Sequence, residues 1–220
     1  AVQQFETQRI LNPASNIQFG EGGAGAYSDG KLTTRINDPL CEAVLSELTA
    51  HGAPIDIQRN AHPHVGTDLL KNVVRSLRKE ICDLGGEVFF QTRVRDFRIQ
   101  NHRITAVCTD TGEIPAAHVI LATGHSARDT FEALLRKEIL LVPKSFAVGV
   151  RIEHKQSDID AAMFGCYAGD PRLGAAEYAV SHREGERGCF SFCMCPGGYV
   201  VNASSEEGYL AVNGMSYHAR

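Results

Sequence analysis

Apolar positions recur along this chain with two different periods, and each period predicts a different kind of element. Between residues 68 and 84 they fall at 69, 70, 73, 74, 77, 81 and 84, with basic residues at 71, 75, 78 and 79. Spacings of three and four put the apolar set on one stripe of a helix and the basic set on the opposite face. A helix over 68–84 is predicted, capped by Thr67 and stopped by Gly85-Gly86. A second helix opens at Asp38-Pro39, carries Cys41, Val44, Leu45 and Leu48 at helical spacing, and ends at His51-Gly52. Weaker helical character covers 3–12 and stops at Asn12-Pro13, and shorter helices are predicted over 127–137 and 158–164.

The other period is two. Residues 93–99 and 103–108 alternate, joined by Gln100-Asn101-His102, and a third alternating run follows the Asp110-Thr111-Gly112 turn and ends at Ile114. This predicts an antiparallel meander within 93–117 with one wet face. Alternation then gives way to Ala117-His118-Val119-Ile120-Leu121-Ala122-Thr123-Gly124, a continuous apolar run of the kind that forms a strand buried on both faces of a parallel sheet. Its carboxyl-end turn, Thr123-Gly124-His125-Ser126, is where open parallel sheets bind ligands. Short strands are also predicted at 16–19, 87–90, 145–153, 177–181, 189–195 and 198–202, and 55–57 reads as extended. The fold class expected is α/β, α+β overall.

Composition adds a candidate ligand loop and removes several classes of partner. Five glycines stand within 20–30, and the stretch continues as Ser28-Asp29-Gly30-Lys31. Glycines at this density disfavour helix and strand interiors, so a loop is predicted, either a surface turn or one whose backbone approaches a ligand. In it, Glu21 and Asp29 are read as holding the loop by side-chain to backbone bonds. The net charge is −4 and no Lys/Arg block stands out, which argues against nucleic acid and anionic membranes as partners. No apolar run is long enough to span a bilayer, and a cytoplasmic location is the default expectation. The seven cysteines (Cys41, Cys82, Cys108, Cys166, Cys189, Cys193 and Cys195) are an odd number in a chain too large to need staples, and most are expected to be buried thiols. On a strand, Cys193 and Cys195 share a face with Cys189, which leaves structural thiols, substrate-side redox thiols and a metal pair open. His62-Pro63-His64 lacks a Cys or carboxylate at ligand spacing and is read as a turn; no metal site is expected.

The order amphipathic helix, Glu87-Val88-Phe89-Phe90-Gln91-Thr92-Arg93-Val94, meander, and Val119-Ile120-Leu121-Ala122-Thr123-Gly124 resembles the flavin-binding half of the two-dinucleotide-domain FAD oxidoreductases, the glutathione-reductase-like fold. Three stretches are similar to a bacterial family of uncharacterised FAD-dependent dehydrogenases related to the aminoacetone-oxidase-like flavoproteins. They are residues 19–35, the run Pro143-Lys144-Ser145-Phe146-Ala147-Val148-Gly149-Val150-Arg151-Ile152-Glu153-His154, and Cys193-Met194-Cys195-Pro196-Gly197-Gly198-Tyr199-Val200-Val201-Asn202-Ala203.

The resemblance implies FAD as cofactor, NAD(P)H as an admissible co-substrate, and hydride transfer between a small-molecule substrate and the flavin. A non-catalytic binding or scaffold module on the same fold is the alternative. The implied cofactor-binding residues are Gly22, Gly23, Ala24, Gly25, Ser28, Asp29, Gly30 and Lys31 in the glycine stretch, Val94 against the adenine, and Ala122, Thr123 and Gly124 near the phosphates. His125 and Lys31 are the candidates for catalysis, and Lys31 and Arg151 for the cations a reduced flavin needs beside N1. The implied domains are a partial Rossmann-like FAD-binding domain over 1–139 and part of a β-rich substrate domain over 140–220. The superfamily's opening strand with Gly-x-Gly-x-x-Gly is absent, since no apolar strand precedes Gly20 and Asp29-Gly30 interrupts any helix after it. The closing Gly-Asp segment is absent too. The chain is therefore expected to be an internal piece of a longer flavoprotein, self-associating through an open sheet edge and retaining little FAD by itself.

Overall fold

A computed structural model describes residues 1–27, 30–34 and 36–218. Among the described residues the chain is mixed α/β, with five α-helices and three small antiparallel sheets. In order these are α1 (Val2–Gln8), α2 (Leu40–Ala50), α3 (Thr67–Asp83), β1 (Val94–Gln100), β2 (Arg103–Thr109), β3 (Gly112–Pro115), α4 (Arg128–Arg136), α5 (Gln156–Phe164), β4 (Ser181–Glu184), β5 (Arg187–Phe190), β6 (Tyr199–Asn202) and β7 (Val212–Met215). They fall into two compact units: Ala1–Leu84 with Val150–Arg220, and Gly85–Gly149.

The core of the first unit lies between α2 and α3. Ala53, Ile57, Val65 and Val73 are buried, with Leu32, Leu45, Leu48, Leu69, Leu70 and Leu77 packed around them. The stripe read from the sequence is thus the stripe that packs, over its first three turns; Ile81 and Leu84, further along, are exposed. His51 joins the two helices: its ring contacts Ser76 Oγ at 3.0 Å, Glu47 Oε1 at 3.1 Å and Glu80 Oε2 at 2.6 Å. At the start of α3, Thr67 is the first helical residue, and Gly66 takes the cap position at φ 85°. A Cβ on Gly66 would stand 2.3 Å from the His218 backbone N and 2.7 Å from Asp68 Oδ1, so only glycine fits.

Several local expectations are corrected here. Helix α1 ends earlier than predicted because Arg9 turns left-handed. Residues 16–19 form turns, because Asn16 competes with any ladder: Gln18 N–H donates to its Oδ1 (2.9 Å) and its Nδ2 donates to Asn12 O (3.1 Å). The glycine stretch is not open loop throughout, since Gly23–Tyr27 makes a 3-10 turn. Ile55–Gln58 is likewise a 3-10 turn, which seats Ile57 in the core. Hairpin β4–β5 forms around Gly185-Glu186 from polar residues, beside the runs expected at 177–181 and 189–195, and β6 falls where 198–202 was expected. None of the seven cysteines is buried.

The second unit contains the predicted meander. β1, β2 and β3 pair antiparallel in that order, with Phe97 opposite Val107 and Val107 opposite Ile114. Asn101 and His102 both adopt positive φ, 50° and 61°, the pair of conformations that lets a two-residue turn follow the twist of its strands. Phe97 and Ala106 are buried, as are Thr130, Ala133 and Leu134 of α4. Arg93 Nε donates to Asp129 Oδ2 (2.9 Å), and Lys137 pairs with Asp96 (3.0 Å), so charges tie α4 to β1 and the residue before it.

The apolar runs at 87–90 and 117–124 do not form the strands expected of them, nor does 145–153. A doubly buried strand needs ladder partners for its N–H and C=O groups and covers for both faces. These runs join no ladder among the described residues, and much of their apolar surface is open: Ile120 is 94% exposed, and Phe146, Val148 and Val150 are exposed as well. No helix among the described residues is long and apolar enough to cross a membrane.

Two outcomes follow from this geometry. Gly66→Ala should destabilise the protein by about 2 kcal/mol or more, since a positive-φ strain is joined to a backbone clash; urea unfolding of the full-length protein measures it. Asp129 has its pKa lowered chiefly by the hydrogen bond from Arg93. Its contribution to stability is therefore present above the ordinary carboxylate range and lost as pH falls through the depressed value. Asp129→Asn should remove that acid-dependent step from the amide exchange of α4 while leaving exchange in β2 and β3 unchanged.

Candidate functional site: two cations over a pair of thiols

Lys31 is fixed by backbone. Leu32 N–H donates to Pro63 O (2.9 Å) and Val65 N–H to Gly30 O (3.0 Å), making Lys31 and His64 an antiparallel bridge. The end of the chain is stitched to the same place, with Thr67 N–H donating to Ser216 O (3.0 Å) and His218 N–H to Asp68 Oδ1 (2.9 Å). Asn213 Nδ2 donates to Tyr27 O (3.3 Å), which holds β7 against the glycine stretch. From this position the Lys31 ammonium donates to Met194 O and lies 3.7 Å from Cys195 Sγ.

Arg151 reaches the same segment and donates from Nη1 to Cys193 O (2.7 Å). The segment is sharply bent. Cys193 sits at φ 54°, and Pro196-Gly197 closes a turn in which Gly198 N–H donates to Cys195 O (2.9 Å). This corrects the strand geometry expected for 189–195: Cys189 belongs to β5, whereas Cys193 and Cys195 lie beyond its end. On a strand, side chains two apart stand about 7 Å from one another. Here the bend turns the Cys195 thiol back on Cys193, where it donates to the carbonyl oxygen at 3.7 Å. Gly214 of β7 closes the corner, since a Cβ there would stand 2.6 Å from Cys195 Sγ and 3.1 Å from Arg151 Nη1.

The electrostatic result is a stabilised thiolate. The hydrogen bond from Cys195 lowers the Cys193 pKa most, and although desolvation opposes it, the charges of Lys31 and Arg151 add to the lowering, bringing it to about 5. Both thiols are half-buried, open enough to react.

The remaining sequence candidates stand elsewhere. Gly22 and Gly23 bound the 3-10 turn, with Ala24 and Gly25 within it, and Glu21 pairs with Arg78 of α3. Two of the stretch's amides are engaged internally, Gly23 N–H to Gly20 O (3.0 Å) and Ala26 N–H to Gly22 O (3.3 Å), and those two are not offered to a phosphate. Gly30 runs close to the start of α3, where a Cβ would stand 3.1 Å from Gly66 N. Ser28 and Asp29, and the side chain of Ala24, lie outside the described residues. Val94, Ala122, Thr123, Gly124 and His125 belong to the other unit: Val94 is half-buried at the start of β1, while 122–125 are exposed, with His125 Nδ1 3.1 Å from Ser126 Oγ. Glu47, His51 and Glu80 form the one His/Glu/Cys/Asp group at metal-ligand spacing among the described residues, and their contacts are those of a hydrogen-bonded ion pair.

Positive charge over a low-pKa thiol beside a glycine-rich turn is the equipment of a redox or electrophile-handling site in a mixed α/β chain. Comparison with known proteins adds a family likeness for part of the chain. Residues 145–220, which contain Arg151, Cys193, Cys195 and Gly214, match the family described as FAD-dependent protein, C-terminal domain-like. An uncharacterised protein of Clostridium beijerinckii is 49% identical over 221 residues, an alignment that takes in the whole of this chain and 42% of the relative. The chain thus spans under half the length of the relative it matches.

Sequence reasoning paired Lys31 with Arg151 and Cys193 with Cys195; the convergence of the two pairs and the part of Gly214 are visible only in the structure. The Pro-Gly-Gly that follows Cys195 was the available signal, because it demands a turn where strand periodicity was assumed. Alkylation of Cys193 by iodoacetamide should follow a pH profile with its midpoint near about 5. Its rate should be flat through neutral pH, where ordinary thiols are still rising toward about 8.5. Gly214→Ala, by displacing the Cys195 thiol, should move the midpoint upward; peptide-resolved mass spectrometry reads both.

Proposed function

We propose that the full-length protein is a FAD-dependent oxidoreductase moving a hydride between a small-molecule substrate and the flavin, with NAD(P)H as an admissible co-substrate. The observation that carries this reading is the convergence of Lys31, from the glycine stretch, and Arg151, from the family-matched region, on one corner. A reduced flavin concentrates negative charge along its N1 and C2 carbonyl edge, and two fixed cations suit that edge. Lys31 and Arg151 suit this end of the cofactor, whereas the Gly23 and Ala26 amides of the glycine stretch are bonded to the stretch's own carbonyls. When bound, FAD supplies the two-electron acceptor. Lys31 and Arg151 orient it and hold its charge, and Gly22, Gly23, Gly25 and Gly30 let the chain approach without side chains in the way.

In this reading Val94, Ala122, Thr123 and Gly124 belong to a Rossmann-like flavin domain completed by chain beyond these 220 residues. The run at 117–124 supports it, because it has strand composition and forms no strand among the described residues. The same surface favours self-association of the 220-residue piece.

Two measurements test the proposal. The full-length protein should carry, or acquire on addition of FAD, the absorption band of oxidised flavin near about 450 nm, and Lys31→Met or Arg151→Met should lower the flavin's reduction potential. Absence of any flavin band after FAD addition would sink the proposal and leave a non-catalytic module. The isolated 220 residues should be colourless and elute as oligomers; a monodisperse, FAD-loaded monomer would contradict the division of the flavin domain.

A further inference from the structure

Helices α2 and α3 meet through two polar pairs, each pair one turn apart: Glu47 and His51 at the end of the first, Ser76 and Glu80 on the second. The His51 ring stands among them, its side chain only 9% exposed. His51 caps α2 and its backbone N–H donates to Glu47 O (3.1 Å), so imidazole and carboxylate start from one closed turn. Ser76 Oγ lies 3.0 Å from Nδ1 and holds that side of the ring, which leaves Nε2 facing Glu80 Oε2 at 2.6 Å and Glu47 Oε1 at 3.1 Å. Ionised carboxylate oxygens only accept, and a single proton on Nε2 points along one line in the ring plane. A dication bound to the Nε2 lone pair would serve all three atoms and cancel both negative charges.

We propose that Glu47, His51 and Glu80 bind one divalent metal ion of the zinc type, which clamps α2 to α3 with water completing its shell. One imidazole and two carboxylates make a ligand set that zinc accepts. The three donor atoms already lie within 4.8 Å of one another. Tetrahedral bonds of ~2.0–2.2 Å put neighbouring donors about 3.3 Å apart, so each carboxylate oxygen has to move outward by less than about 1 Å. The Glu47 and Glu80 side chains are 61% and 49% exposed and have room for that move, whereas the imidazole is held. Ser76 stands where the outer partner of a metal-bound histidine stands, orienting the ring and setting which nitrogen carries the proton.

A clamp at this point acts where the first unit is thinly packed. Helix α2 has no fully buried residue and exposes Leu40 and Val44, so Leu45 and Leu48 supply its apolar hold on the core around Val73. The chain passes directly from His51 to Ala53 and Ile57, both in that core, and an ion at the helix end would fix the point from which this segment departs. The pair His62 and His64, the place where the sequence invites a metal, stands outside the group. None of the three ligands belongs to the corner of Lys31 and Arg151, so zinc binding and flavin binding can fail separately.

The test titrates zinc chloride into full-length protein that has been stripped of metal and then freed of chelator, as wild type and as the double variant Glu47→Gln, Glu80→Gln. Calorimetry should find one zinc site fewer in the double variant; any site made by the cysteines is common to both proteins and cancels. Zinc should slow amide exchange in residues 44–51 and 76–83 of wild type and leave both segments of the variant unchanged. Ser76→Ala should weaken the site roughly tenfold without changing the number of sites. Magnesium, which prefers oxygen ligands and keeps its waters, should leave exchange as it was. Equal zinc stoichiometry in wild type and double variant overturns the proposal and leaves a hydrogen-bonded ion pair. Equal slowing by magnesium overturns it too, since screening of two carboxylates would then suffice. If a variant fails to fold by circular dichroism, exchange in wild type decides alone: slowing of both segments by zinc beyond that by magnesium supports the site, and any other pattern refutes it.

Discussion

The candidate site depends on one short backbone junction, in which residues 30–32 pair with 63–65 while 216–218 close over the start of α3. The junction joins parts of the chain far apart in sequence, with Val65 N–H bonded to Gly30 O and Thr67 N–H to Ser216 O. It is also continuous with the core, because Val65 is fully buried and Leu32 packs against the same cluster. Lys31 lies between these two apolar neighbours in the register, and its side chain is sent the other way, toward Met194 and Cys195. The apolar packing that stabilises the first unit therefore also sets where the ammonium stands. A side chain at Gly66 would open the junction, and the cost would appear at the site as well as in stability.

Within the corner, conformational cost and chemical gain are tied together. Holding Cys193 left-handed costs on the order of 1–3 kcal/mol. The bond from Arg151 to its carbonyl and the turn bond from Gly198 to Cys195 O offset that cost and fix the bend. The bend turns the Cys195 thiol back on Cys193, and the hydrogen bond from Cys195 together with the charges of Lys31 and Arg151 lowers the Cys193 pKa. Gly214 has to be small for the same reason that Cys193 has to be bent: both make room for one sulfur atom.

Much of this was legible in the sequence, and the exceptions share a cause. Helices α2, α3, α4 and α5 and the β1–β2–β3 meander announce themselves because their signals are local: spacing of apolar residues, Asp38-Pro39, Gly85-Gly86, and the Asn101-His102 turn. Lys31, Arg151 and the two thiols could be named as candidates by residue type alone. Their meeting could not, because it rests on pairings between residues 31 and 64, 67 and 216, and 151 and 193, which leave no periodic trace. The Cys-x-Cys was misjudged through applying a period of two across a Pro-Gly-Gly that breaks it. Asn16 shows the same competition on a smaller scale, its amide capturing backbone groups that a strand at 16–19 would need.

The runs at 87–90, 117–124 and 145–153 are a different matter, since they carry strand composition and form no strand among the described residues. A run such as Val119-Ile120-Leu121 loses roughly 1.5–3 kcal/mol for each large apolar side chain left in water. The second unit buries Phe97 and Leu134 but leaves Phe89, Phe90, Ile120, Leu140 and Val142 exposed, so its own core is small beside the apolar surface it displays. Sequence pattern reports the environment in which a segment is stable, and that environment includes whatever chain covers it. The chain represents 42% of the relative's length, and in the proposed flavin domain the run at 117–124 would be a strand flanked by further chain. Under that proposal, burial of 117–124 would be coupled to cofactor binding, because the turn at the carboxyl end of such a strand is where open parallel sheets hold their ligand.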